Sequence, residues 1–110
     1  MATVTLPDDL AERVEPFGRW LPTVLEISLL GLKTPASRTA GEIVAFLSTG
    51  PSSDEVATYR ASVRSQERIN RLLALNQAGF LGKVEAEELD ELLRLENLLI
   101  MLKAELDKEV

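Results

Sequence analysis

At 110 residues the chain is long enough for one small domain, and with 45% hydrophobic residues it supports a modest core that oligomerisation would reinforce. It contains no cysteine and no histidine, which removes disulfides, thiol nucleophiles, the common zinc frameworks and the usual general base. Its formal net charge of −6 argues against a protein that coats nucleic acid over its whole surface.

Ala2 to Leu6 alternate polar and apolar, with Val4 and Leu6 on one side and Thr3 and Thr5 on the other, which predicts a minimal strand closed by Pro7. Asp8 or Asp9 then caps a short helix that buries Leu10, Val14 and Phe17, and Pro16 keeps it brief. Gly18 breaks the chain, and a second helix is expected from Arg19 to Leu30, with Pro22 tolerated in its first turn. Trp20, Leu21, Val24, Leu25, Ile27, Leu29 and Leu30 make that helix apolar on almost every side. Such a helix wants burial all round, which predicts a dimer core. The longest apolar run, Trp20 to Leu32, is too short to span a bilayer and includes Glu26. The first residues lack the basic flank of a signal peptide, so a cytoplasmic setting is expected.

Lys33 to Arg38 reads as a loop, and Thr39 with Glu42 as a capping box for a short helix ending at Ser48. After Gly50-Pro51, Ser52 and Glu55 form a second capping box, which predicts one long helix running to about Ala78 and ended by Gly79. The last helix is expected from Val84 to about Lys108. Leu92, Leu95, Leu99, Leu102 and Leu106 recur at helical steps along it, and Leu89, Leu93 and Ile100 widen the stripe. Ile69, Leu72, Leu73 and Leu75 face it from the preceding helix. The expected fold is therefore mainly α, with a short N-terminal strand plus helices followed by a long helical hairpin. Its divisions are a strand-helix-helix dimerisation module over 1–32, a loop and short helix over 33–51, and a partner-binding hairpin over 52–110.

Little in the chain carries chemistry. Glu85, Glu87, Glu88, Asp90 and Glu91 lie opposite the leucines of an amphipathic helix, the pattern of a solvated face rather than of an acid–base pair in a cleft. Ser62 and Ser65 have no histidine to activate them, and no metal-ligand set or phosphate-cradling glycine loop occurs. No enzyme activity, cofactor, metal or small-molecule substrate is expected. The row Arg60, Arg64, Arg68 and Arg71 has two readings: a solvated face with local pairing such as Glu67 to Arg71, or guanidinium groups that meet phosphates or a partner's carboxylates. Thr3 and Thr5 are either the wet side of a strand or its working side. On the last helix, Leu98 and Met101 fall outside the stripe that closes the hairpin, which makes them candidates for partner contact.

The opening TVTLPDDLAERVEPFGRWLPTVLEISL resembles the ribbon-helix-helix module of bacterial antitoxins. The tail RLLALNQAGFLGKVEAEELDELLRLENLLIMLKAEL is similar to a hairpin of VapB-like antitoxins, on Ala78, Gly79, Leu81, Glu85, Glu88, Leu89 and Lys103-Ala104. By that resemblance two strands from two chains would form a ribbon in the DNA major groove. Thr3 and Thr5 would then face operator DNA with Arg19 in support, while Val4 and Leu6 join Leu21, Val24 and Leu25 in the dimer core. The hairpin would hold a cognate toxin, a PIN-type ribonuclease, through Arg60, Arg64, Arg68, Leu98 and Met101. The alternatives are a helical structural adaptor, or a small assembly or regulatory subunit of a larger enzyme, neither binding DNA.

Overall fold

The computed structural model describes residues 5–108, and every regular element among them is helical. Helix α1 spans Asp8–Val14, α2 Leu21–Leu29, α3 Ala36–Leu47, α4 Ser53–Ala57, α5 Val63–Ala78 and α6 Lys83–Asp107. The mainly α expectation holds, and the strand does not. Thr5 to Pro7 run without regular structure into α1, and the described chain offers no second strand whose edge could satisfy one. Ala2, Thr3 and Val4 lie outside the described residues.

The aspartates Asp8 and Asp9 sit in the first turn of α1, where the helix dipole favours them. A 3-10 helix, Glu15–Trp20, follows and contains Pro16. Gly18 (φ 54°) breaks its geometry and redirects the chain, so α2 starts later than Arg19. Trp20 is buried at the corner, and its indole Nε1 donates to the carbonyl of Pro51 at 2.8 Å. Within α2, Thr23 and Ile27 face inward, while Leu25 and Leu29 face outward, Leu29 at 85% exposure.

Helix α3 begins three residues before the expected capping box, because Thr34 and Pro35 supply the start. The Thr34 hydroxyl accepts from the Ala36 amide at 3.1 Å, and proline is preorganised for a first turn. Ala36, Ala40, Ile43 and Leu47 then make its buried face. The capping box of Ser52 and Glu55 forms as the sequence implies, with both hydrogen bonds at 3.1 Å. The helix it opens is short. The chain leaves helical geometry over 58–62, burying Val56 and stacking Tyr59 on Phe46 with ring centroids 4.5 Å apart. Ser62 then caps a new helix, α5, by accepting from the Ser65 amide. The single long helix expected over this region is thus two.

At its end, Gly79 adopts φ 78° and the amides of Gly79 and Phe80 bond to the carbonyls of Asn76 and Leu75. This is the paired hydrogen-bond pattern of a left-handed helix stop, and it turns the chain into α6. The 25 residues of α6 rise roughly 37 Å and set the long axis of a molecule 49 × 33 × 26 Å.

Helix α6 is the spine, packing against α2, α3, α4 and α5. Its Leu95 and Leu106 join Trp20, Ile27, Ile43, Leu47 and Val56 in one core, with Leu99 and Leu102 at the margin. Leu89 and Leu92 join Leu72 of α5 and Ala36 of α3 in a second. The stripe of leucines read from the sequence is therefore the seam of the whole domain. No helix among the described residues is long and apolar enough to cross a membrane.

Candidate functional site

The chemistry-bearing side chains collect around the first half of α5. Its C-terminal half is held to α6 by Leu72 in an apolar core, but its first turns lean on α3 through polar groups. The Ser65 hydroxyl donates to Glu42 Oε2 at 2.7 Å and lies 3.0 Å from the Thr39 hydroxyl and 3.3 Å from that of Ser62. Thr39 and Glu42, expected to cap α3, instead prop α5. The Ser65 hydrogen bond, with help from Ser62 and the charge of Arg64, holds the Glu42 carboxyl below the ordinary glutamate range.

On one flank of α5 opens a groove of about 870 Å³ between α3, α5 and α6. Arg38 comes from α3, Arg64, Arg68 and Arg71 from α5, and the carboxylates of Glu42, Glu67 and Glu88 share the lining. Two of these carboxylates are engaged, Glu42 as above and Glu88 by Arg68. The Arg68 guanidinium donates twice to Glu88, from Nε at 2.7 Å and Nη2 at 2.9 Å, although Glu88 is only 4% exposed. That double bond outweighs burial and holds the Glu88 carboxyl below its usual range, and it raises Arg68 further above its own. Ion pairs among the described residues are Arg68–Glu88, Arg94–Asp90 and Lys108–Glu105, so Arg38, Arg64 and Arg71 carry none.

The acidic start of α6 is thus only partly a solvated face. Glu88 is buried against Arg68, Glu85 accepts from the Gly82 amide, and Glu91 reaches back to the loop before α3. Glu91 accepts from the amides of Lys33 and Thr34 and from the Thr34 hydroxyl at 2.6 Å. Burial pushes the Glu91 carboxyl up, but these hydrogen bonds outweigh it and leave it lowered. Sequence position alone places these carboxylates opposite the leucines. Only the fold brings Thr34, Glu42 and Arg68 to them.

Adjoining the first groove at Thr39, Ser65 and Leu92 lies a second cleft of about 380 Å³, whose lining includes Ile69, Leu99 and Ile100 with the cations Arg60 and Lys103. Of the residues expected to bind a partner, Arg64 and Arg68 lie in the first groove and Arg60 in the second cleft. Leu98 is half-buried against the larger core, and Met101 is 61% exposed on the outer side of α6. The pairing of Glu67 with Arg71 does not form. Among the expected dimer-core residues, Leu6, Leu21 and Val24 are half-buried and Leu25 is exposed. Of those expected to face DNA, Thr5 is exposed ahead of α1, and the Arg19 guanidinium stacks 4.7 Å over the Trp20 ring and donates to Ser53. No group of His, Cys, Asp and Glu among the described residues is arranged to hold a metal ion.

Arg38, Tyr59 and Lys103 were not among the sites read from the sequence. Arg38 could have been found from Thr34-Pro35, the overlooked start of α3, which converts a loop arginine into a first-turn one.

The fold and its grooves define a small, mainly helical domain organised on one central helix. Comparison with known protein families, with characterised proteins and with solved structures finds no match.

Proposed function

We propose that this chain is a non-catalytic interaction protein of the antitoxin kind, acting in the cytoplasm, that captures a protein partner by presenting Arg38, Arg64 and Arg71 to a carboxylate-rich surface. The supporting observation is that these three guanidinium groups line one groove and belong to no ion pair among the described residues, in a chain of net charge −6. A planar guanidinium makes two parallel hydrogen bonds to a carboxylate, which gives both strength and orientation. A PIN-type ribonuclease, the partner implied by the resemblance of the tail, would offer its metal-binding carboxylates to these groups. Arg68 is held by Glu88 and serves to position α5. Homodimerisation is assigned to the outer face of α2, where Leu25 and Leu29 are exposed. Operator binding rested on the strand and is not carried forward.

The test is co-expression with the product of the adjacent reading frame, followed by pull-down and a growth assay. Arg38→Gln with Arg64→Gln and Arg71→Gln should leave helicity intact and weaken capture by about ten-fold or more. Undiminished capture by that variant removes the groove from the mechanism, and a wild-type chain that neither binds nor neutralises the neighbour removes the antitoxin reading.

A further inference from the structure

The second cleft has a composition that the interaction reading does not use. Its lining combines the part-exposed aliphatic side chains Ile69 of α5 and Leu99 and Ile100 of α6 with the buried core residues Ile43 and Leu95. Its volume of about 380 Å³ lies within the range of small-molecule sites, which pair a mostly apolar lining with a few convergent polar groups. Its charged groups are the cations Arg60 and Lys103 against the single carboxylate Glu96, and Thr39, Ser65 and Gln66 add neutral polar groups. Neither cation belongs to an ion pair among the described residues. Lys103 is also fixed in place, since its Nζ donates to the Tyr59 carbonyl at 2.8 Å and keeps two further N–H groups for another acceptor. The Tyr59 ring lines the cleft, and its phenol is raised by burial and by the charge of Glu42, so it stays neutral and adds no negative charge. At the cleft Ile100 is exposed and Ile69 and Leu99 are half-buried, so aliphatic surface stays open to a ligand there.

We propose that this cleft binds a small monoanionic amphiphile, a medium-chain alkyl carboxylate, with its hydrocarbon against Ile69, Leu99 and Ile100 and its carboxylate between Arg60 and Lys103. Burying the chain removes apolar surface from water on both partners, which would favour any hydrocarbon of that size. The two cations decide between otherwise similar ligands: they attract a carboxylate, ignore an alcohol and repel an ammonium. The inference goes beyond the partner-capture reading and does not depend on it, because Arg60, Ile69, Leu99, Ile100 and Lys103 do not line the arginine groove.

The experiment is calorimetric titration of the full chain with decanoate, decanol and decyltrimethylammonium, each below its aggregation threshold, with methyl shifts of the isoleucines recorded in parallel. Decanoate should bind saturably, raise the thermal midpoint and move Ile69 and Ile100. Arg60→Gln with Lys103→Gln should weaken decanoate by about ten-fold or more while leaving decanol unchanged. Should loss of the Lys103 anchor unfold the chain, Arg60→Gln alone decides by the same ratio. Equal binding of decanoate and the ammonium, no saturable decanoate binding, or shifts confined to residues outside the cleft would each overturn the proposal.

Discussion

Arg68–Glu88 is the one ion pair among the described residues with a buried partner, and its asymmetry makes a clear prediction. The Glu88 side chain is 5% exposed while that of Arg68 is 41% exposed, so loss of the arginine strands a buried carboxylate, whereas loss of the glutamate frees a guanidinium to solvent. Arg68→Met should cost about 1–3 kcal/mol, at the lower end for a broken buried pair because water reaches one partner. Glu88→Gln should cost less, and urea midpoints for the two variants would show the order. Acid should act through the same groups. Glu42, Glu88 and Glu91 are all held below the ordinary glutamate range, so each binds its proton less readily folded than unfolded. Their stabilisation is complete above the unfolded value of about 4.3 and is lost as pH falls through the lower folded values. The thermal midpoint should therefore hold steady through neutrality and decline below about pH 4.3, with a shallower decline in Glu88→Gln. A variant that loses stability in acid as steeply as the wild type would remove Glu88 from that account.

Among the elements, starts and stops were legible where one local signal governs and obscure where two compete. Ser52 with Glu55, and Gly79 after Ala78, are local devices that act the same way in any fold. Gly79→Ala should cost about 1–2 kcal/mol by forcing a left-handed residue to carry a Cβ, although no neighbouring atom would meet it. The break over 58–62 has no glycine or proline to announce it. It accompanies the burial of Val56 and the stacking of Tyr59 on Phe46, and the one trace it leaves is Ser62, a cap read as an ordinary helix residue. Thr39 and Glu42 match a capping box in spacing, but Thr34-Pro35 starts the helix earlier and frees both for Ser65. On α6 the exposures separate Leu98 from Met101: Leu98→Ala should lose roughly 1–3 kcal/mol of packing, and Met101→Ala should stay within about 0.5 kcal/mol of wild type. Denaturation of the single variants checks this.

For the whole molecule, a seam of leucines on one central helix was readable because burial repeats with helical period, and the assignment of neighbours to that seam was not. Which of α2, α3, α4 and α5 covers which turn of α6 depends on contacts across many residues, as does the meeting of Arg38 with Arg64 and Arg71. The all-round apolarity of α2 is resolved by burial of Trp20 and Ile27 on one side, leaving Leu25 and Leu29 for the other. Leu25→Asp with Leu29→Asp should keep the fold, and in sedimentation it should shift any dimer to monomer; a dimer that persists places the contact elsewhere. The hydrogen bond from Trp20 to Pro51 ties the corner before α2 to the turn before α4, residues far apart along the chain. Because Trp20 is the sole tryptophan, its fluorescence speaks for that one clasp and for nothing else. Emission that reddens before helical circular dichroism is lost would mean that the N-terminal helices peel away from an otherwise intact domain, whereas simultaneous change would mean that clasp and spine melt as one.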